Sequence, residues 1–490
     1  MVHTRRNMWT LPANDQTLLW YGRAIAAMQA KPRRDPGSWG WQAAIHGWRD
    51  SIAAPGEQLP SAADRRRYWN QCQHGSWYFL PWHRGYLAAF EQIVRVQVVR
   101  LGGPESWALP YWDVGRTQWQ RIRPEFLTPQ RPDGSPNPLY VAQRRPGFQT
   151  GNVGIVPAAV DPRGLLLEPE FGGATAGGAP GFGGPQTDFF HGPGTLGALE
   201  GQIHNHVHSR VAGFMGSFEF AGLDPLFWLH HCNVDRLWEV WRARDLRHRD
   251  PLSTRWRNGP TAQKFIVRDA AGQPWTFTAQ EMRNTRGPRL DYVYEDISDP
   301  LAGVATPGRL QPFAADDAGA PGARAVTGRR RRKTRVLGAV APGVSLGGGR
   351  STARVSVSAP PAPRGSLRGF AADEPSPAGG RVLLNLENIT GVDPSQTYKV
   401  FVDLPDDHDP ATDERNLVGV MSLFGVDSAS DPQGDHAGNG LTYVFDITEL
   451  AGARGEIDAG QIRVDFVPSD DDTPADSAHV GRISNVRETP

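Results

Sequence analysis

The sequence predicts two domains of different fold class, a mainly α domain followed by an all-β, sandwich-like domain. From about residue 15 to 300 the apolar residues recur with helical spacing, whereas after the segment 303–334 apolar and polar residues alternate as in β-strands. A chain of 490 residues is also too long for one ordinary domain. We therefore expect an α domain at 1–302, a linker at 303–334 and a β domain at 335–490.

Three helices are predicted with some detail in the first domain. Apolar residues repeat with helical period from Tyr86 to Val99, and a second helix runs through 203–211. The third begins at Asp224, an N-cap aspartate followed by proline at the first helical position, and continues to about Arg244. Helices of this kind can pack as a bundle.

Two segments of the chain show little periodicity. Residues 124–195 are rich in Pro and Gly and are expected to form long surface loops on the helical scaffold. The segment 303–334 ends in a basic run at 329–333, which is either a solvated linker or an exposed processing site.

The last third of the chain contains short alternating segments separated by Gly, Pro, Asp and Ser. They are predicted as strands, the clearest being 354–357, 382–386, 398–402 and 462–466. Short strands at such spacing are typical of an all-β sandwich or barrel.

Composition narrows the classes of partner and location. Lys+Arg and Asp+Glu both total 52, so no global field favours nucleic acid or an anionic membrane, and no stretch approaches the roughly 20 apolar residues that span a bilayer.

The start, 1–10, lacks an apolar run after its arginines, so we expect a cytoplasmic protein; export on a partner or with a trimmed signal stays open. Cys72 and Cys232 allow one disulfide at most, and the sequence makes no prediction of the oligomeric state.

The histidines are the residues that indicate chemistry, because neutral imidazole suits copper and zinc. His204 and His208 are four residues apart, so on a helix both project from one face and can chelate one ion, whereas His206 lies on another face. Taken alone, this pair is a weak signal.

The surrounding segments make the signal stronger. The capped helix in DPLFWLHHCNVDRLW (224–238) delivers His230 and His231 into an aromatic setting. Upstream, CQHGSWYFLPWHR (72–84) contains two further histidines, and WQAAIHGW (41–48) contains another among apolar residues. A lone buried histidine is usually a core residue, but several on helices that can pack together are harder to explain in that way.

These segments resemble the two copper-site signatures of type-3 copper proteins of the tyrosinase, catechol oxidase and polyphenol oxidase group. The resemblance covers roughly residues 3–297 and includes the Arg-Arg-Asn start at 5–7 and the Tyr-Val-Tyr motif at 292–294. It implies a four-helix bundle that holds two copper ions and an oxidase that acts on small phenols with dioxygen as co-substrate.

The same resemblance implies the copper ligands, with His231 preferred to its neighbour His230. The first copper would be bound by His46, His74 and His83, and the second by His204, His208 and His231. Three imidazoles per ion leave open positions between the ions for dioxygen, and cysteine is absent from both ligand sets, which disfavours blue-copper and iron–sulfur sites. Cys72 stands two residues before His74, as in relatives with a cysteine-to-histidine thioether; the alternative is a small buried hydrophobe.

Further residues bear on the choice of substrate. By resemblance, Glu200 and Asn205 hold a water that accepts the proton of a monophenol, although Glu200 is alternatively a surface carboxylate at a helix start. Phe218 is expected to restrict entry over the second copper, while Ser209 is small and neither guides nor blocks substrate. We expect oxidation of o-diphenols to o-quinones, with weaker ortho-hydroxylation of monophenols.

Three other functions remain as alternatives. The same site suits an o-aminophenol oxidase or a haemocyanin-type oxygen carrier. A zinc hydrolase is disfavoured, because HNHVH lacks the glutamate that H-E-x-x-H places beside its first histidine.

The β domain resembles the shielding domain of latent polyphenol oxidases and tyrosinases at 398–405 and 479–484. In such relatives a side chain of this domain occupies the substrate position, and Phe424 is the candidate here. The alternative is a domain that only stabilises or oligomerises the first one.

Overall fold

The computed structural model describes residues 1–304 and 333–489, apart from 175–176, 193, 358–379, 411–413, 435–437, 454–459, 471–472 and 475. The described residues form a mainly α domain followed by a β-sandwich, which confirms the predicted fold class. The predicted linker lies outside the described residues except at its ends, and Lys333 and Thr334 already belong to the first strand of the sandwich. None of the described helices is long and apolar enough to cross a membrane.

The helices of the first domain surround a core rich in aromatic side chains. In chain order they are α1 Thr17–Gln29, α2 Trp39–His46, α3 Ala62–Tyr68, α4 Phe79–Arg100, α5 Pro157–Val160, α6 Pro162–Leu166, α7 Asn205–Val211, α8 Pro225–Arg244 and α9 Thr254–Arg257. The sandwich adds α10 Val426–Ser430 and α11 Thr448–Ala453.

The three predicted helices are present with revised limits. The first, α4, begins earlier than expected, and α8 begins as expected, because the Asp224 side chain accepts a hydrogen bond from Leu226 N and Pro225 occupies the first position. The second is composite: Glu200–His204 is π-helical and continues directly into α7. Such π-helical turns often lie at functional sites.

The prediction of surface loops for 124–195 is only half right. The described part of this segment contains short helices and two-residue strands, as expected for loops. However, Phe126, Phe148, Phe171 and Phe182 are buried in the core. These loops cover the bundle because their aromatic side chains complete its packing.

The strands divide between small ribbons in the first domain and two stacked sheets in the second. The ribbons are β1 His3–Arg5, β2 Gly172–Gly173, β3 Gly184–Pro185, β4 Phe265–Arg268, β5 Pro274–Phe277 and β6 Tyr292–Tyr294. The sandwich contains β7 Lys333–Val340, β8 Val344–Leu346, β9 Ser351–Val357, β10 Arg381–Gly391, β11 Thr397–Val402, β12 Leu417–Ser422, β13 Leu441–Asp446, β14 Gly460–Pro468 and β15 Ala478–Thr489.

One sheet of the sandwich has the order β13-β10-β15-β7, with β8 also paired to β15, and the other has the order β12-β11-β14-β9. Alternate residues of the strands, such as Leu384 and Leu386 in β10 and Val400 and Val402 in β11, enter one apolar core between the sheets. This alternation is the pattern that predicted the strands.

A buried ionic network ties the ends of the first domain to its central helices. β1 pairs with β6 in parallel, and Arg5 of β1 lies over the Tyr292 ring at 3.6 Å. The Asp235 carboxylate of α8 accepts hydrogen bonds from Tyr292, from Tyr294 and from both Arg5 and Arg84. Burial would raise the pKa of Asp235, but the two guanidinium groups outweigh burial and hold it below its usual value.

Replacing Asp235 by Asn should destabilise the first domain strongly. The variant keeps the side-chain shape but leaves Arg5 with Glu91, and Arg84 with Glu239, as the remaining charged partners among the described residues. Breaking a buried ion pair by removing one partner typically costs about 3–5 kcal/mol. The midpoint of thermal unfolding of the copper-loaded protein measures the effect. Asp406→Asn is the control, because this exposed partner of Arg463 should change stability by less than about 0.5 kcal/mol. Equal losses in both variants would contradict the role of the network.

Candidate metal centre

The structure brings the six predicted histidines together in the middle of the helical bundle, and all are at most 2% exposed. They come from α2, the loop before α4, α4 itself, the π-helical turn, α7 and α8, in the order His46, His74, His83, His204, His208 and His231. The six histidines are spread between residues 46 and 231, so the cluster forms only when distant parts of the chain pack together.

In the first triad each Nδ1 atom meets a fixed acceptor. His46 Nδ1 lies 2.9 Å from Phe218 O, His83 Nδ1 lies 2.8 Å from Phe79 O, and His74 Nδ1 lies 2.9 Å from a Glu200 oxygen. Because carbonyl and carboxylate oxygens accept, Nδ1 carries the proton in each ring and Nε2 keeps a lone pair.

The Nε2 lone pairs of this triad converge without a proton between them. His46 Nε2 and His74 Nε2 are 3.3 Å apart, and His83 Nε2 has no hydrogen-bond partner. Two acceptor nitrogens cannot bond to each other, so this arrangement calls for a cation. Two nitrogens bound at about 2.0–2.1 Å to one tetrahedral ion would be separated by roughly 3.3 Å.

Two rings of the second triad have the same design, whereas Nδ1 of the third ring, His231, has no hydrogen-bond partner among the described residues. His208 Nδ1 lies 2.6 Å from Met215 O, and His204 Nδ1 lies 2.8 Å from Asn205 Oδ1. His204 Nε2 has no partner, and His208 Nε2 lies 3.3 Å from His231 Nε2. The residues present therefore fit a metal ion in each triad.

The two triads face each other across a short gap. The rings of His83 and His231 stack at 4.4 Å between centroids and 8° between planes. The His74 and His204 centroids are 5.3 Å apart. Such proximity suits two ions that act on one small molecule held between them.

His230, the neighbour of His231 on α8, lies close to the second triad as well. Potential ligand atoms of His204, His208 and His230 all lie within 4.8 Å of one another, and neither ring nitrogen of His230 makes a hydrogen bond that meets normal geometry. The choice of His231 as the ligand stays a prediction, favoured by its Nε2 atom facing His208.

Burial determines the charge of the histidines. Burial lowers the pKa of His46 and of His230 to about 3. The pKa values of the other cluster histidines are well below the usual value, mainly because of burial, and the neighbouring imidazoles add to this lowering. Phe227 adds to this apolar setting, with ring centroids 4.2 Å from His231 and 5.0 Å from His46. The rings are therefore neutral, which is the form that binds metal.

The two residues predicted for proton transfer both contact a predicted ligand. Both Glu200 oxygens accept a hydrogen bond from Gly75 N at 3.0 Å, in addition to the bond with His74. Burial raises the pKa of Glu200 to about 8, against the lowering effect of the Gly75 and Gly197 main chain. Asn205 holds His204, so both residues orient a ring, a role that their motif alone did not indicate.

Cys72 lies beside a residue that the motifs did not include. Its Sγ atom is 3.1 Å from Nδ1 of His191, and this nitrogen is also 3.0 Å from Cys72 O. Cys72, His46 and His74 also place potential ligand atoms within 4.8 Å of one another. The thioether to His74 stays a prediction. His191 follows a Gly- and Pro-rich stretch, where no periodicity marks it.

Two phenylalanines cover the cluster. Phe218 was predicted over the second copper, but its ring lies against the first triad, 4.7 Å from the His74 ring and 6.1 Å from the His46 ring between centroids. Phe424 of the sandwich stacks on His208 at 4.1 Å and contacts Phe218 at 4.7 Å between centroids. Gly425 follows with φ 79°, and a Cβ atom there would lie 2.3 Å from the Phe218 ring, so only glycine permits this approach. The sandwich thus reaches the open side of the cluster.

Tyr443 of β13 fixes the turn that carries Phe424. Its hydroxyl donates to Ser422 O at 2.6 Å, accepts from Ser422 N at 3.2 Å and lies 3.4 Å from Asn205 Nδ2. Sequence reasoning missed Tyr443, because an alternating strand gives no sign of which partner its tyrosine will meet.

The chain is similar to known proteins along its whole length. Residues 36–156 and 175–244 match the common central domain of tyrosinase, and 333–488 match a domain family of unknown function. A tyrosinase from Hahella sp. strain CCB-MM4 is 34% identical over 99% of both chains. The (+)-larreatricin hydroxylase of Larrea tridentata is 30% identical over 57% of this chain, which spans about half (47%) of that plant relative.

Solved structures support the same fold. The structure of latent apple tyrosinase aligns with 100% of this chain and with 97% of its own chain, at a TM-score of 0.62 and 20% sequence identity. The structure of latent aurone synthase, a polyphenol oxidase, aligns with 100% of this chain and 90% of its own chain, at a TM-score of 0.61 and 22% sequence identity. Together with the full-length relative and the histidine cluster, these matches identify the chain as a member of the tyrosinase and polyphenol oxidase family of copper oxidoreductases.

Proposed function

We propose that this protein oxidises o-diphenols to o-quinones with dioxygen at two copper ions, one in each histidine triad, and also hydroxylates monophenols at the ortho position. The observation that carries the proposal is the convergence of unprotonated Nε2 atoms in two triads that face each other. The family acts on phenolic substrates with oxygen.

The reaction balances with dioxygen alone as the oxidant. Two catechols lose four electrons and four protons, and one dioxygen becomes two waters. When bound, the copper pair supplies the electron transfer between the phenol and dioxygen. The protein holds the six rings neutral and oriented and keeps the centre enclosed by aromatic side chains, which excludes competing solvent.

Glu200, in its deprotonated form, is assigned the role of proton acceptor for monophenols, with Asn205 as its partner; because its pKa is raised to about 8, the fraction in this form increases as the pH rises through that value. Its carboxylate is buried beside His74, and its second oxygen accepts a hydrogen bond from the Gly75 main chain. A phenol hydroxyl is a weak acid, so transfer of its proton to a fixed acceptor precedes ortho-hydroxylation. A diphenol is oxidised without that requirement.

The sandwich is assigned the role of a shield that keeps the enzyme latent. Phe424 is 1% exposed and stacks on His208, the position at which a substrate ring would contact the second triad. Tyr443 holds the turn in place from the sandwich side. Support also comes from the fold likeness to the latent apple enzyme, which extends over both domains.

Metal analysis of the purified protein should give two coppers per chain. His208→Ala and His231→Ala should each lose one copper, because each removes one of three nitrogens from the second triad. His230→Ala is the matched control and should keep both. One copper or mainly zinc in the unmodified protein would contradict the proposal, and loss of copper only from the His230 variant would reverse the ligand assignment.

Glu200→Gln should separate the two activities. The amide oxygen still accepts from His74, so the ring stays oriented, but the proton acceptor is lost. Monophenol turnover should fall by roughly 10²-fold, within the usual range for general-base assistance, and turnover of the matched catechol by less than about tenfold.

The measurement compares both substrates in one protease-treated preparation. Glu219→Gln is the control, because this carboxylate is bonded to Arg49 and Ser217 instead. Equal losses on both substrates in Glu200→Gln would show that Glu200 only shapes the site.

Phe424→Ala should raise catechol turnover of the intact chain several-fold at constant copper content, because the ring that covers His208 is removed. Limited proteolysis at the basic run 329–333 should have the same effect. Phe466→Ala is the control, since it removes a comparable buried ring from the core between the two sheets of the sandwich. If that variant is activated as strongly, unfolding of the sandwich is responsible and the plug assignment is wrong.

Cleaved, copper-loaded protein without catechol turnover would instead favour the oxygen carrier. A panel of catechols, monophenols and o-aminophenols then compares the remaining substrate classes.

A further inference from the structure

Two arginines of the catalytic domain converge on one carboxylate of the sandwich, away from the histidine cluster. Arg210 binds Asp470 through both terminal nitrogens, with Nη2 to Oδ1 at 2.8 Å and Nη1 to Oδ2. Arg145 Nη2 binds the same Oδ2 atom at 2.8 Å. The bidentate contact of Arg210, with a further hydrogen bond from Arg145 to the same carboxylate, belongs to the strongest class of hydrogen-bonded ion pair.

The arginines are held by the catalytic domain itself. Arg210 Nε and Arg145 Nη1 donate to Val153 O at 3.2 and 3.4 Å, and Arg145 N donates to Val211 O at 2.8 Å. Arg210 is 2% exposed and lies against Gly154, where a Cβ atom would be 2.1 Å from Nη2. Besides Asp470, the sandwich contributes one long hydrogen bond to Arg210, from Nη1 to Thr397 Oγ1 at 3.4 Å, so the contacts that orient both arginines come mainly from the catalytic domain.

Two guanidinium groups fixed side by side repel each other unless an anion lies between them. Burial lowers the pKa of Arg210, and the charge of Arg145 lowers it further, while Asp470 opposes both effects. Removal of Asp470 would leave a positively charged recess. Arginine forks of this kind also match the oxygens of phosphate.

We propose that Arg145 and Arg210 form a binding site for oxyanions, occupied in this chain by the Asp470 carboxylate, and that dissolved phosphate competes with Asp470 and so loosens the sandwich. The effect on turnover rests on the proposed shielding function, but the binding does not. Arg210 lies in α7, the helix of His208, so the anchor and the covered ring share one rigid element.

A second ion pair between the described parts of the two domains provides a matched control. Arg381 of β10 binds Glu168 at 2.5 Å, and it is also 3.7 Å from Asp446 of its own domain. This pair contains one arginine, which the sandwich already neutralises. Its loss should weaken docking without creating a site for phosphate.

The first experiment measures binding of inorganic phosphate to the full-length, copper-loaded chain by calorimetry. Asp470→Asn exposes both arginines and should bind phosphate at least tenfold more tightly than the unmodified chain and Glu168→Gln do. Equal affinities in the three proteins would overturn the proposal, whatever their activities.

The second experiment follows hydrogen exchange of residues 417–426 and catechol turnover in phosphate and in chloride at equal ionic strength. A tethered domain acts at effective concentrations of around mM, so tens of mM phosphate should raise both readings roughly three- to tenfold in the unmodified chain and in Glu168→Gln. In Asp470→Asn, hydrogen exchange and catechol turnover should already be high in chloride and should respond little to phosphate.

Equal responses to phosphate and chloride would show that salt only screens the ion pair and that phosphate does not bind the arginines, which would overturn the proposal. Faster exchange without higher turnover would uphold the anion site and refute the shielding function instead.

Discussion

The structure depends on the burial of six neutral imidazoles whose Nε2 atoms point at one another. Each ring is fixed by an acceptor at Nδ1 or by packing, so none can turn away to satisfy its lone pair elsewhere. Unsatisfied buried nitrogens are costly, and bound metal removes that cost. The rest of the bundle must therefore hold these rings in place, and metal binding and folding stability are coupled.

The bundle is stabilised by a set of buried ion pairs around Asp235, close in sequence to two of the histidines. Asp235 lies one turn after His231 on α8, and Arg84 directly follows His83 on α4, so their ion pair fixes the two helices at the level of the metal centre. Arg5 connects the chain start and β6 to the same carboxylate. The histidine geometry thus depends on residues that never contact metal or substrate.

The sequence predicted what local chemistry determines. The Asp224-Pro225 cap defined the start of α8, alternation located the strands, and the motifs indicated the six histidines that the fold brings together. It could not predict contacts between distant segments. The π-helical turn is invisible in a 3.6-residue pattern, His191 and Tyr443 meet their partners only through tertiary packing, and the aromatic residues of 124–195 showed no period that would reveal their burial.

The helix α7 connects metal binding to docking of the sandwich. Its inner face carries His208, Ser209 donates to Pro394 O of the sandwich at 2.7 Å, and Arg210 binds Asp470. Successive residues on a helix are about 100° apart, so three neighbouring side chains serve three surfaces. Ser209 and Arg210 therefore attach the sandwich to the helix that carries His208. Under the proposed shielding function, docking acts both on access to the centre, through Phe424, and on the position of His208, through α7.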